Sequence, residues 1–193
     1  MATTKPGRPR CEASRQKILH AALAALDAHG VGGLTVDGIA ARAGVGKATI
    51  YRWWPNKSAV VMEAFLADMD PRIAFEDTGT LRGDLKVQMR RLLEVIRTQR
   101  GQKMLALISQ GHADPEIAHA FLERWILPRR AVVRGVLQRG LTRGELRADA
   151  DLEMAIDALY GPLWFRLLLG FGTVDGAYAD ALADHVLAGL APR

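Results

Sequence analysis

The sequence contains a single cysteine, Cys11, among 193 residues. One thiol cannot close an internal disulfide, and that usage fits a reducing compartment such as the cytoplasm. Runs of β-branched residues are scarce, while Leu and Ala dominate, which favours helix over strand. Long hydrophobic runs are missing too. The most apolar stretch, Ala158 to Gly172, carries Arg166 inside it, too short and too charged to cross a bilayer. Met1-Ala2-Thr3-Thr4-Lys5 lacks the apolar segment of a secretory leader. No membrane partner is therefore expected.

Patterns of catalysis are equally scarce. Gly44-Val45-Gly46-Lys47 would complete a phosphate loop only with glycine at position 41, where Ala41 stands. Gly30 and Gly32-Gly33 do not make a dinucleotide fingerprint. His112 and His119 are separated by Pro115 and accompanied by no cysteine, so no metal site is expected. No nucleophile–base pattern is evident. The expectation is a non-enzyme without a cofactor.

What is present is an uneven charge. The net charge is +5, yet residues 1–57 hold nine Lys/Arg against three Asp/Glu, a surplus of +6, and the remainder is close to neutral. A polyanion partner for the N-terminal end is the direct electrostatic reading. The same concentration argues against a small-molecule carrier with a vestigial head, which is the alternative reading.

The pattern along the chain is helical. Residues 1–13, with Lys5-Pro6-Gly7-Arg8-Pro9-Arg10, read as a flexible basic arm. A helix from Ser14 places Ile18, Ala22, Ala25, Leu26 and His29 on one face and stops at Gly30. Thr35 is a candidate N-cap, with Leu34 and Ile39 as a hydrophobic staple. Gly44 ends that short helix, and Gly46 opens a second through Trp53. Pro55 breaks the chain, and Asn56 caps a helix over 57–69. Further helices are expected over 81–98, with Leu85, Met89, Leu92, Leu93 and Ile96 inward, and over 103–110 beyond Gly101. Others should run from Pro115 with a kink at Pro128, over 152–170 and over 176–190.

Two short helices joined by a glycine turn and docked on a preceding helix make a helix-turn-helix. Its second helix offers Lys47, Thr49, Tyr51 and Arg52 as phosphate donors or base-edge readers, while Ile50 and Trp54 face inward. The order of residues is more telling still. Thr35 to Ala40 reads T-x-x-x-I-A, Ala43 to Val45 reads A-G-V, and Thr49 to Trp54 reads T-I-Y-x-x-W, with Lys57 at the next helix start. This segment resembles the DNA-binding domain of the tetracycline-repressor (TetR) family. The resemblance implies an all-α fold: an N-terminal three-helix helix-turn-helix domain (residues 14–57) and a C-terminal six-helix domain (residues 58–193) for ligand binding and dimerisation. It implies phosphate contacts from Thr35 and Lys57, base reading by Lys47 and Ala48, and sugar-phosphate or nearby base contacts from Thr49, Tyr51 and Trp53. Arg8 and Arg10 resemble basic arms that enter an adjacent minor groove. Trp53 stands where many members carry His, and Gly46 where Ser often caps. Asp37 faces the DNA side of its helix without an assigned role.

In the C-terminal part, Met104, Ile108, Phe121, Trp125, Tyr160, Trp164 and Phe165 are candidate walls of a ligand pocket, with Gly161-Pro162 as a helix irregularity beside the last three. The resemblance implies a small hydrophobic or aromatic effector, of unknown identity. Leu152, Ile156, Leu159, Leu163 and Leu167 form a stripe, matched by Tyr178, Leu182 and Val186 on the last helix. The family's four-helix dimer bundle makes these the expected homodimer interface, with a double-stranded, pseudo-palindromic DNA operator as partner.

Overall fold

The computed structural model describes residues 8–30, 32–109 and 115–192, with side chains from residue 12 onward. Every regular element among them is helical. In chain order they are α1 (Arg8–His29), α2 (Val36–Ala43), α3 (Lys47–Tyr51), α4 (Lys57–Met69), α5 (Leu81–Arg97), α6 (Gln99–Ser109), α7 (Pro115–Phe121), α8 (Leu127–Thr142), α9 (Leu152–Leu169) and α10 (Gly176–Leu190). A 3₁₀ turn, Asp70–Arg72, follows α4, and a π turn, Leu122–Ile126, joins α7 to α8.

Two compact units result. One holds Met1–Ala67 and Ala106–Arg124, the other Asp68–Leu105 and Trp125–Arg193. The first unit is organised on α1, whose Ile18, Ala22, Ala25 and Leu26 are buried as their spacing predicts; His29, on the expected face, is exposed. Helix α1 begins at Arg8, earlier than the expected Ser14. Pro9 lies in the first turn, where its missing N–H has no intrahelical partner to lose. The side chains of Arg8 and Arg10, and residues 1–7, lie outside the described residues.

The second unit packs α5, α8, α9 and α10 around Leu85, Met89, Val136, Leu137, Leu159 and Ala183. Small residues let helices approach closely. Ala179 and Ala183 of α10 are wholly buried, and polar contacts flank them: Lys86 Nζ donates to Asp184 at 2.8 Å and Arg90 Nε to Asp180 at 2.7 Å. Asp151 caps α9 by accepting from the N–H groups of Glu153 and Met154, and Asp175 caps α10 through that of Tyr178.

Gly101 corrects a reading of the sequence. It does not separate two helices, for it sits inside α6. The break is at Thr98, which adopts extended backbone and whose hydroxyl accepts from Gly101 N–H at 3.1 Å. Helix α8 likewise starts one residue before Pro128 rather than being kinked by it, and the irregular turn lies upstream at Leu122–Ile126.

Candidate functional site

The head is held by local chemistry that the sequence states openly. Thr35 adopts extended backbone, and its hydroxyl accepts from Gly38 N–H at 3.0 Å. Gly44 takes φ 66°, and the N–H of Val45 closes the helix on the carbonyl of Ala40 at 3.1 Å. Only glycine adopts that conformation without strain, which fixes the angle at which α3 leaves α2. Ile50 and Trp54 are buried, Ile50 completely and Trp54 to 1%. They anchor α3 by one face and leave the other outward.

On that outward face Tyr51 is 53% exposed, and Lys47, Ala48 and Arg52 are also exposed, with Thr49 half-buried. Lys57, exposed at the start of α4, donates to the carbonyl of Leu34 at 3.0 Å, which ties α4 to the entry of α2. Trp53 is half-buried against Trp54, the ring centroids 6.2 Å apart. Its indole N–H is enclosed with no acceptor among the described residues, so it reaches no phosphate in this arrangement.

Asp37, to which sequence reasoning assigned nothing, pairs with Lys47 Nζ at 2.5 Å across the turn. The hydrogen bond to that carboxylate raises the Lys47 ammonium above its ordinary value. Behind the surface lies a polar node also missed in the sequence. Glu63 of α4 accepts from Trp54 Nε1 at 2.8 Å and pairs with Arg15 and Arg124. The clue was a lone acid inside the apolar run Val60-Val61-Met62-Glu63-Ala64-Phe65.

The second unit contains a cavity of about 210 Å³. Trp125, Tyr160 and Trp164 line it, as anticipated. Four other anticipated residues do not. Met104 is buried elsewhere, Ile108 and Phe121 are half-buried in the first unit, and Phe165 is 58% exposed with Phe171 edge-on at 5.3 Å. On α9, residues 160 and 164 are one turn apart on one face, and residue 165 rotates about 100° away from it. The residues missed are Gln88, Arg129, Arg130 and Asp157. Gln88 is buried to 1%, and its Oε1 accepts from the Tyr160 hydroxyl at 2.6 Å. Burial pushes that hydroxyl well above its usual range, so it remains a neutral phenol.

The apolar stripe of α9 also differs from expectation. Ile156, Leu159 and Leu163 are 3%, 0% and 1% exposed within their own unit. Leu152, Leu167, Tyr178, Leu182 and Val186 are half-buried against the same core, and Arg166 lies 4.1 Å over the Tyr178 ring. A stripe covers its nearest partner first, here α5, α8 and α10. The apolar face left without cover on α9 is Met154, Gly161, Phe165 and Leu168, and Leu169 beside it is also exposed.

Residues 18–64 match the bacterial regulatory proteins of the tetR family, and residues 75–186 the tetracyclin repressor-like C-terminal domain. The chain is 38% identical to an uncharacterized HTH-type transcriptional regulator, YdeS, of Bacillus subtilis, covering 97% of this chain and 94% of that one. A crystal structure of the TetR family transcription regulator SCO0332 superposes with a TM-score of 0.82 at 32% identity, over 93% of this chain and 99% of the other. The fold is shared more distantly with the transcriptional regulator FadR of Bacillus subtilis, solved in complex with stearoyl-CoA, at a TM-score of 0.66 and 18% identity over 91% and 98% of the two chains. Among the described residues no helix is long and apolar enough to cross a membrane. A glycine-closed helix-turn-helix followed by a helical domain, matched along nearly its whole length, makes this chain a member of the TetR family of DNA-binding transcriptional regulators.

Proposed function

We propose that the protein is a cytoplasmic, homodimeric repressor that binds a pseudo-palindromic operator and leaves it when a small effector occupies the cavity at Trp125, Tyr160 and Trp164. The observation that carries the DNA half is Tyr51, an aromatic 53% exposed on a helix whose neighbours Ile50 and Trp54 are buried. An apolar ring presented to water beside Lys47 and Arg52 is costly to keep unless a partner covers it. A duplex, with its sugar-phosphate backbone and groove edges, fits that mixture of ring, ammonium and guanidinium. Thr35, Thr49, Trp53 and Lys57 frame the same surface, with Ala48 small enough to admit a base edge. Arg8 and Arg10 extend the basic side of the proposal.

The exposed apolar face of α9 supports pairing with a second copy. Gly161 at its middle leaves room for close approach, and Phe165 and Leu168 supply area. Two recognition helices would then meet successive major grooves about 34 Å apart. Release by an effector requires that it bind the DNA-incompetent arrangement more tightly, and a tenfold preference is worth ~1.4 kcal/mol per site. Trp125 and Ile126 line the cavity, while Arg124, next in the chain, holds Glu63 of α4. Motion of that π turn is the proposed route to the head, together with the tilt of α4.

Operator fragments selected from a random pool, titrated by fluorescence anisotropy at physiological salt, test this reading. Tyr51→Ala should weaken specific and random DNA alike, by about tenfold or more, whereas Lys47→Ala should also flatten base preference. Equal loss on both DNAs for Lys47→Ala removes its reader role. Ligand affinity without any sequence-specific DNA binding favours the carrier reading instead.

Asp37 makes a separate prediction. A carboxylate at 2.5 Å restrains Lys47 and repels phosphate. Asp37→Asn should therefore raise affinity for random DNA, steepen the dependence on salt by up to about one counterion, and narrow the gap between operator and random sequences. An unchanged salt slope and an unchanged gap would show that the pair is incidental.

A further inference from the structure

We infer that the cavity of the second unit takes a flat aromatic acid, one or two rings bearing a single anionic oxygen group, with the rings among Trp125, Tyr160 and Trp164 and the anion on Arg129 and Gln88. The inference rests on the effector reading of this cavity and narrows it to a chemical class.

Size comes first. The cavity measures about 210 Å³. An apolar cavity of about 150 Å³ holds benzene, so one substituted ring or two fused rings fit. Three aromatic side chains and Leu92, Val133 and Ile156 supply most of the wall, which favours a flat apolar body that can stack or meet ring edges.

Hydrogen bonding comes next. The Tyr160 hydroxyl occupies Gln88 Oε1 at 2.6 Å. The amide N–H groups of Gln88 are left to donate, on a residue that is 1% exposed and lines the cavity. A ligand oxygen placed against them gains a hydrogen bond that a ligand without an acceptor cannot make.

Charge decides the sign. Two arginines and one acid line the wall: Arg129, Arg130 and Asp157. Arg130 is neutralised twice over, by Asp157 and by Glu153, the latter at 3.1 Å from Nε. Asp157 is thereby engaged. Arg129 differs. Its one carboxylate partner among the described residues, Asp70, lies at 3.5 Å with a side chain 59% exposed, and it also donates to the Ile73 carbonyl at 3.2 Å, so its charge is less fully compensated than that of Arg130. Its Cζ sits 5.7 Å from the Trp125 ring centroid, beside the aromatic floor. An anion entering this apolar site meets the least compensated cation on the wall, in surroundings that strengthen the attraction. An ammonium there would face Arg129 and Arg130 with Asp157 already engaged.

Calorimetric titration of the full-length protein with 1-naphthoate, neutral 1-naphthamide and cationic 1-naphthylmethylamine tests the class. Naphthoate should bind, the amide on the order of tenfold more weakly or worse, and the amine not measurably. Arg129→Met should bring naphthoate down to the affinity of the amide and leave the amide unchanged. If that variant melts early through loss of the Ile73 contact, the three-ligand comparison on the unaltered protein still decides. Equal affinity for acid and amide, or a preference for the amine, overturns the anion while leaving the cavity as the effector site. No binding by any of the three overturns the aromatic class itself. Tight naphthoate binding that leaves the operator complex intact supports this inference and instead overturns release by an effector.

Discussion

Trp54→Ala is expected to abolish operator binding by unfolding the head rather than by removing a DNA contact. The side chain is 1% exposed, and its indole N–H donates to Glu63 at 2.8 Å. Truncating a buried Trp to Ala costs about 3–5 kcal/mol through lost burial and the cavity left behind. That is a large part of the ~5–15 kcal/mol that holds a domain together. A thermal melt followed by circular dichroism should shift down by roughly 6–20 °C. Trp54→Phe keeps most of the ring volume and loses only the donor to a charged acceptor, about 1.5–3 kcal/mol. It should melt between the two and retain operator binding at low temperature. A Trp54→Ala protein that melts like the unaltered one and still binds its operator would show that α3 is anchored by something other than Trp54.

Gly101→Ala is the second large effect, and its sign is the opposite of that usual for a helical glycine. A Cβ at this position would lie 2.4 Å from the Val95 carbonyl oxygen and 2.5 Å from that of Ile96, both backbone atoms at the end of α5. Neither can move without loosening the α5–α6 corner, where Gln102 also donates to the Ile96 carbonyl at 2.9 Å. Overpacking of this kind costs about 1–3 kcal/mol and more when backbone must shift. Gly135, in the middle of α8, is the internal control, because nothing lies within 4 Å of its Cβ position. Gly135→Ala should raise stability by about 0.5–1 kcal/mol by removing freedom from the unfolded chain. The two variants should therefore bracket the parent in urea midpoint. If Gly101→Ala unfolds at the same urea concentration as Gly135→Ala, the α5–α6 corner is not close-packed.

The difference between those two glycines also marks where the sequence stops being legible. Spacing marks Gly101 as an interruption of the helical pattern, while Gly135 falls inside the helix expected after Pro128. Only three-dimensional proximity tells that Gly101 is required by a neighbouring carbonyl while Gly135 is not. The head was readable because its determinants are local: a cap at Thr35 three residues from the N–H it holds, a glycine at 44 in the left-handed region, and alternating burial at Ile50 and Trp54. The cavity was half-readable. Its aromatic members on α9 follow from helical spacing, but Gln88, Arg129 and Arg130 come from helices distant in sequence, and nothing local announces that they converge. The stripe at Ile156, Leu159 and Leu163 was visible as apolar, yet periodicity does not say whether an apolar face meets its own chain or another. Inside the unit it packs into the core shared with α5, α8 and α10, and the apolar residues left exposed on α9 include Phe165 and Leu168.

The first unit is not one continuous stretch of chain. It combines Met1–Ala67 with Ala106–Arg124, and the Arg124–Glu63 pair within it spans 61 residues of sequence. During synthesis, therefore, the helix-turn-helix is in the nascent chain well before the arginine that completes its Glu63 node leaves the ribosome. At about 5–20 residues per second, the delay is several seconds. Over that interval the head lacks one of its fastenings. Ten of the twelve residues that line the cavity lie beyond Arg124, so the head receives its last fastening before the cavity is built.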